Sequence, residues 1–408
     1  MVEPETGSSP AQTGWRRTLA VTAVAQMCAL VGFSSVFPFL PLYVKELGSS
    51  TGIDEGMLAG LVYSGQAFTM MLASPFWGAL ADRYGRKLMV ERSMFGGALL
   101  LALMARVGSA EQLVLLRMAQ GMVTGTIGAA NALVAGVVPR QRMGYAMGIL
   151  QVALGAGLAI GPLIGGTTAD LFGYRAAFYV TGAMLFIGGA VVFFGVTEHF
   201  TPPVAPGKAG FGFFLECRKI LAAPNVIATY LMRFINQLGR MIIIPVLPLL
   251  IISLAVDASK INTFTGLVVG AASVAATVAG LVLGRIGDRI GHRKVIIACS
   301  TGCGLLFFPQ ALVTGPLQLL MLHTLAGAAA GGIVPAISAL LATHTRPGQE
   351  GAVYGIDNSV ASGARALAPM VGVSIAALAG VRAVFAATGA IYLFAASIAL
   401  LILKPPRG

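Results

Sequence analysis

Long apolar runs alternate with short polar connections along nearly the whole chain. Runs of about 20 residues, the length that crosses a bilayer as a helix, fall near residues 17–43, 57–80, 88–107, 112–135, 144–168 and 176–196. Six more follow near residues 225–252, 262–284, 295–313, 317–342, 352–378 and 382–403. The pattern predicts an all-α membrane protein with twelve transmembrane helices.

The longest polar break falls at the middle of the chain. It covers residues 198–224 and contains the sequence TPPVAPGK. We interpret it as a cytoplasmic linker between an N-terminal six-helix half, residues 1–197, and a C-terminal six-helix half, residues 225–408.

The two predicted halves are similar in sequence at an offset of 206 or 207 residues. Three pairs of segments match: PFLPLYV from Pro38 with PVLPLLI from Pro245, GALADRYGRK from Gly78 with GRIGDRIGHRK from Gly284, and RAAFYVTGA from Arg175 with RAVFAATGA from Arg382. Three matches in one register indicate a repeated fold, two pseudo-symmetric bundles of the kind that carry substrates by alternating access.

Composition and charge support a membrane location. Hydrophobic residues make up 57% and charged residues 10% of the 408 residues, against roughly 25% charged in soluble domains, so the lipid bilayer is the expected partner. The net charge of +12 comes from short clusters between apolar runs, which argues against a nucleic-acid partner. With both termini cytoplasmic, most Lys and Arg residues of the connections fall inside, and the exceptions among them are Lys45, Arg106, Arg175, Lys260 and Arg382. We expect a multi-pass protein of the plasma membrane, the inner membrane of a bacterium.

One loop carries the pattern G-x-x-x-D-R-x-G-R-K between the second and third spans. Its residues are Gly78, Asp82, Arg83, Gly85, Arg86 and Lys87. The segment resembles the loop signature of the major facilitator superfamily. The resemblance to this superfamily extends over essentially the whole chain. The resemblance implies a conformational switch at this loop and, in a degenerate second copy, at Asp288 and Arg289. A simple positive-inside anchor is the alternative.

The fifth span combines a proline with regularly spaced glycines. The pattern G-x8-G-x3-G-P-x2-G-G is formed by Gly148, Gly157, Gly161, Pro162, Gly165 and Gly166. It resembles the fifth-span signature of drug exporters and other antiporters of the superfamily. Small residues let two helix backbones approach, and the proline weakens the helix at one place. Ordinary glycine packing is the alternative.

The fourth span contains an arginine that lipid would not tolerate. The sequence from Arg117 to Gln120 and Gly121 resembles the fourth-span antiporter motif, which implies a role in proton transfer. An arginine bonded to backbone carbonyls is the alternative, because a buried cation is costly without a partner. The offset of 206 places His323 at the position of Arg117, where it could titrate near neutral pH or only pack.

A polar stripe follows one face of the seventh span. Its members stand at i, i+3, i+4 and i+7 and are Arg233, Asn236, Gln237 and Arg240. The stripe is expected to face the central cavity or a partner helix. The eleventh span adds Asp357 and Arg365, and Asp357 is the one acid expected within a span. Exporters of cationic drugs commonly carry a carboxylate in span one or four, where this chain has Gln26 and Asn131.

These observations favour a secondary active transporter that works by alternating access. The fifth-span resemblance implies proton-coupled export of drugs or other small lipophilic molecules, and the cationic interior supports the alternative, a proton-coupled carrier of an organic anion. No G-x-x-x-x-G-K-[ST] motif occurs, so an ion gradient rather than ATP is expected to drive transport. We expect no enzyme activity, no metal and no cofactor, because neither a paired nucleophile and base nor metal-ligand spacing is present. A monomer is expected.

Overall fold

A computed structural model describes residues 10–139, 142–198, 226–254, 256–344 and 350–402. The predicted linker, residues 198–224, lies outside these ranges except for Glu198. The first half contains α1 Pro10–Ser35, α2 Leu40–Leu47, α3 Glu55–Tyr84, α4 Arg86–Met104, α5 Ala110–Val123, α6 Thr126–Val137, α7 Met143–Phe172 and α8 Tyr174–Gly195. The second half contains α9 Val226–Ile242, α10 Leu247–Ser253, α11 Ile261–Ile290, α12 His292–Ala311, α13 Pro316–Ala330, α14 Ile333–His344, α15 Glu350–Ala379 and α16 Val381–Leu401.

These helices form twelve spans, because four spans are each built from two helices. The pairs α1 with α2, α5 with α6, α9 with α10 and α13 with α14 each cross as one unit. Within the described ranges, eleven spans are long and apolar enough to cross a membrane. The exception is α4, whose first seven residues include Arg86, Lys87, Glu91 and Arg92. It packs against α8, α5 and α6, and we count it as the third span.

The broken spans interrupt at equivalent places in the two halves. Residues 36–39 separate α1 from α2, and residues 243–246 separate α9 from α10, each 207 positions apart. Proline lacks a backbone N–H and clashes with the preceding turn, and each break contains one, Pro38 and Pro245. A second pair of breaks lies at residues 124–125 and at residues 331–332. The repeat predicted from sequence is therefore also present in the helix boundaries.

Equivalent hydrogen bonds tie the third span to the sixth and the ninth to the twelfth. Lys87 Nζ donates to the carbonyl oxygen of Phe193 at 2.9 Å. Arg293, 206 positions further, donates from Nη2 to the carbonyl oxygen of Leu400 at 2.6 Å. Each half also has apolar clusters whose fully buried members come from that half alone, so each half packs around its own core.

Successive spans place the helix ends at two membrane faces. We call the basic face the one with the helix ends at residues 84–86, 137–143, 195–198, 290–292 and 344–350. The opposite face has the helix ends at residues 47–55, 104–110, 172–174, 253–261, 311–316 and 379–381. The two halves meet chiefly where α7 packs on α11 and where α3 packs on α15.

Candidate functional site

The loop signature forms a tight turn between α3 and α4 at the basic face. Gly85 has a φ of +95°, a conformation that favours glycine because it has no Cβ. The backbone N–H groups of Arg86 and Lys87 donate to the two carboxylate oxygens of Glu198, at 3.1 and 2.8 Å. A residue at the end of the sixth span therefore caps the start of α4. The side chains of two other signature residues, Asp82 and Arg83, and the surroundings of Gly78 lie outside the described part of the structure.

The second copy of the signature makes the same turn. Gly291 also has a φ of +95°. His292 Nε2 lies 3.5 Å from Asp288 Oδ1, and the Asp288 side chain is 72% exposed. Arg289 is exposed as well. A switching role for Asp288 and Arg289, as for the first copy, stays a prediction.

Three glycines of the fifth-span motif face α1 of the same half. A Cβ at Gly157 would lie 2.9 Å from the carbonyl oxygen of Met27, and one at Gly161 would lie 2.8 Å from the carbonyl oxygen of Val31. A Cβ at Gly165 would lie 2.7 Å from Cα of Ser35. These separations are closer than a Cβ tolerates, so the backbones of α7 and α1 are in contact because the side chains are absent.

The next glycine of the motif faces the other half. A Cβ at Gly166 would lie 2.6 Å from the carbonyl carbon of Asn262 at the start of α11. In return, a Cβ at Gly266 would lie 2.7 Å from the carbonyl carbon of Pro162, and one at Gly270 would lie 2.6 Å from the carbonyl oxygen of Ala159. Helix α7 is thus packed between α1 and α11, with small residues on both of its contact faces.

The close approach of the halves is found nearer the opposite face. Along α7 and α11 it extends from Gly166 and Asn262 to Gly155, where a Cβ would lie 3.0 Å from Thr277. Gly148, nearer the basic face, has open space around it. The interface of α3 with α15 is also close near the opposite face, where a Cβ at Gly60 would lie 2.9 Å from Met370 Sδ. Among the described residues, the halves are therefore closed together at the opposite face.

Asp170 adds hydrogen bonds to this closure, and the sequence did not single it out. Its Oδ1 accepts from the backbone N–H and the side-chain Nδ2 of Asn262 at 3.3 and 2.7 Å, and its Oδ2 accepts from the backbone N–H of Thr263 at 2.6 Å. No local pattern predicts these bonds, because they join residues of different halves.

Arg117 is buried within the fourth span. Its side chain is 1% exposed, and Nη1 donates to Gln120 Oε1 at 2.7 Å. Gln66 of α3 donates to the same oxygen at 3.4 Å. The Nε and Nη2 atoms of Arg117 have no hydrogen-bond partner within the described parts of the chain. The structure brings Arg117 and Gln120 into contact, and their role in proton transfer stays a prediction.

His323 lies at the equivalent place in the second half. Its Nδ1 is 2.9 Å from Gln310 Oε1, and its ring meets Phe307 edge-on at 6.1 Å between centroids. Both partners belong to α12, so His323 joins the ninth and tenth spans. These contacts fit a packing histidine, and a titrating role stays a prediction.

The polar stripe of α9 divides between a partner helix and open space. Arg233 Nε lies 3.1 Å from Asp357 Oδ1 of α15. Asn236 and Gln237 are buried, with Asn236 2% exposed, and both polar atoms of its amide lack partners in the described structure. Arg240 is exposed, although it lies in the middle of a span. Since an arginine in contact with lipid is costly, we infer that Arg240 faces the cleft between the halves.

Arg365 brings a third cation to this cluster. Its Nη2 donates to Ser362 Oγ at 2.8 Å, and it is within electrostatic range of Arg233, Arg240 and Asp357. The cluster thus combines three arginines with one carboxylate. Among the described residues, no group of three or more His, Cys, Asp or Glu side chains could hold a metal ion.

Two repeated six-helix bundles with glycine-lined contacts between them define a secondary transporter, and comparison with known proteins identifies its family. The model of the Major Facilitator Superfamily matches residues 22–232 and 229–408. The multidrug resistance protein MdtG of Salmonella typhimurium is 36% identical over 384 residues, which is 93% of this chain and 94% of that protein. The chain belongs to the Major Facilitator Superfamily, and its relatives are transporters rather than enzymes.

Solved structures share the fold at low sequence identity. The human organic anion transporter MFSD10 superposes with a TM-score of 0.69 at 20% identity, covering 94% of this chain and 99% of that chain. A bacterial homolog of the human lysosomal transporter Spinster, in an inward-facing and unoccupied conformation, superposes with a TM-score of 0.74 at 15% identity. It covers 98% of this chain and 100% of that chain. The predicted all-α fold is confirmed, and the chain is a multi-pass membrane protein that moves a small molecule.

Proposed function

We propose that this transporter exports drugs or other small lipophilic molecules and that the proton gradient drives the export. The observation that carries the proposal is α7, whose glycines contact α1 on one face and α11 of the other half on another. Such a contact can separate without breaking a large interlocked surface, as alternating access requires. The relatives named as multidrug resistance proteins support the choice of substrate class.

The basic face is assigned to the cytoplasm in this proposal. Arg86, Lys87, Arg289 and Arg293 lie there, and cytoplasmic loops carry an excess of Lys and Arg. Both termini and the linker are then cytoplasmic, and the location is the inner membrane of a bacterium. With the halves closed at the opposite face, the described conformation corresponds to an inward-facing transporter. We further propose that it acts as a monomer without a cofactor or a nucleic-acid partner.

The organic anion carrier remains a second candidate because of the arginine cluster. Within the described residues, neither Arg240 nor Arg365 forms an ion pair of its own with a carboxylate. Two cations in a low-dielectric cleft attract an anionic group and repel a cationic one. Substrates that combine a lipophilic body with an anionic group would satisfy both candidates.

The test is transport by the purified protein in proteoliposomes with an imposed pH gradient. Ethidium as a lipophilic cation, a neutral dye and a lipophilic carboxylate are compared in the same vesicles. Accumulation that requires the gradient and disappears with a protonophore supports proton coupling. Transport that ignores the gradient contradicts it, and a preference for the carboxylate favours the second candidate.

A further inference from the structure

The start of α11 has its N-terminal cap supplied by the other half of the protein. The first backbone N–H groups of a helix have no partner within the helix, and they carry a partial positive charge. The residue before α11, Lys260, makes no side-chain cap. Asp170, at the end of α7, accepts from the N–H groups of Asn262 and Thr263 instead.

The place of this contact makes it depend on conformation. Asn262 is 4% exposed and Asp170 is half-buried, so their bond at 2.7 Å is partly shielded from water, which strengthens a hydrogen bond to a charged group. The backbones of Gly166 and Asn262 are in contact one helical turn away. Any opening between α7 and α11 at the opposite face therefore breaks all three bonds of Asp170 together.

Among the described side chains, the equivalent interface of α3 with α15 has no such contact. The position equivalent to Asp170 is Ala377, which cannot accept through its side chain. Helix α3 is capped by its own Asp54, whose Oδ2 accepts from the N–H of Met57 at 2.9 Å. That cap stays intact when the halves separate. A carboxylate that bonds across the two halves is thus found at the interface of α7 with α11 and is not repeated at the equivalent interface.

We propose that Asp170 is a positioning residue that holds the transporter closed at the opposite face. Its carboxylate stabilises this conformation selectively, because the bonds to α11 exist only while the halves are together. The proposal rests on the alternating-access function proposed above and is independent of the substrate. Loss of the carboxylate shifts the population toward the form that is open at the opposite face.

The experiment measures the distance between the halves in the full-length protein in lipid nanodiscs. The native cysteines are replaced, and spin labels are attached at Met57 of α3 and Leu378 of α15, two exposed positions at the opposite face away from Asp170. Pulsed electron paramagnetic resonance then gives the distance distribution. Asp170→Ala should raise the ratio of long to short distances roughly tenfold, within the usual range of conformational coupling. Asp170→Asn, which keeps the shape and loses the charge, should give a smaller shift.

Asp257 provides a matched control. It also caps the chain just before α11, but its Oδ1 accepts from the N–H and Oγ of Ser259 in its own loop, at 3.0 and 2.9 Å. Asp257→Ala should leave the distances unchanged. The proposal is overturned if Asp170→Ala and Asp170→Asn both give the parent distribution, or if Asp257→Ala shifts it equally. The distance measurement uses no substrate and no gradient, so it is independent of the transport assay in proteoliposomes. If the parent protein fails to transport but Asp170→Ala shifts the distances, only the proposed function is contradicted. If the parent protein transports but the distances do not shift, only the proposed role of Asp170 is contradicted.

Discussion

Removing one member of the ion pair between Arg233 and Asp357 should be more damaging than removing both. The two side chains are 17% and 12% exposed and lie 3.1 Å apart. At an effective dielectric constant of about 20, this separation corresponds to an attraction of about 5 kcal/mol, an upper bound. Breaking a buried pair by deleting one partner costs about 3–5 kcal/mol because a charge is left buried. Partial exposure places Asp357→Asn near the lower end, about 3 kcal/mol.

The double variant Arg233→Met with Asp357→Leu removes both charges and keeps apolar volume, and its two single variants are Arg233→Met and Asp357→Leu. Replacing a whole ion pair by apolar side chains is often neutral or stabilising. We therefore expect the double variant to recover most of the stability that each single variant loses, a coupling of about 2 kcal/mol. The free energy of unfolding is measured in mixed micelles for the parent, both single variants and the double variant.

Transport assays on Asp357→Asn separate its effect on stability from its effect on proton coupling. Asp357→Asn resembles the protonated carboxyl, so substrate exchange across proteoliposomes should persist while accumulation driven by the pH gradient is lost. Asp257→Asn, a loop carboxylate, serves as the control and should retain both. Additive losses of stability in the double variant would refute the pairing argument, and gradient-driven accumulation by Asp357→Asn would refute a role in coupling.

Three further predictions follow from the other contacts. Gly161→Leu should lower the free energy of unfolding by about 1–3 kcal/mol through overpacking and so lower the yield of folded protein. Gly148→Ala, which has open space where its Cβ would lie, should match the parent in gel filtration and transport. Equal yields for the two variants would contradict the packing argument. Arg117→Ala should abolish gradient-driven accumulation and Arg117→Lys should retain part of it, since lysine keeps the charge; loss of folding without a separate transport defect would instead indicate a structural arginine. Arg240→Gln and Arg365→Gln should each weaken transport of a lipophilic carboxylate and spare ethidium, as measured in vesicles, and unchanged preference would remove the anionic candidate.

The sequence predicted the spans well but not their interruptions. Each of the twelve apolar runs corresponds to a span, because bilayer thickness imposes the length. Pro162 and Pro369 lie inside continuous helices, whereas Pro38 lies in a break. The difference is that Pro41 follows Pro38 and occupies the first turn of α2, a position that proline favours. A single proline is accommodated inside α7 and inside α15, whereas the pair Pro38 and Pro41, three residues apart, accompanies a break and the start of a second helix.

The candidate site was predicted as a set of residues and not as a set of contacts. The spacing of the α9 stripe predicts one polar helix face, but the pairing of Arg233 with Asp357 requires that α9 lie beside α15, 124 positions later in the chain. Asp170 and Glu198 were missed for the same reason. Each resembles an ordinary polar residue at a span end, and its role depends on a helix that arrives from elsewhere in the fold.

The matched bonds of Lys87 and Arg293 bear on how the two halves have diverged since duplication. Both side chains reach the carbonyl oxygen at equivalent sites, Phe193 and Leu400, although neither donor nor neighbour residue has the same identity in the two copies. In both copies a cation donates to a backbone oxygen, and this bond does not depend on the identity of the side chain beside the acceptor. At this position the similarity of the two halves is therefore seen in an equivalent hydrogen bond and not in identical residues. A chimaera that exchanges the two turns should still insert and fold.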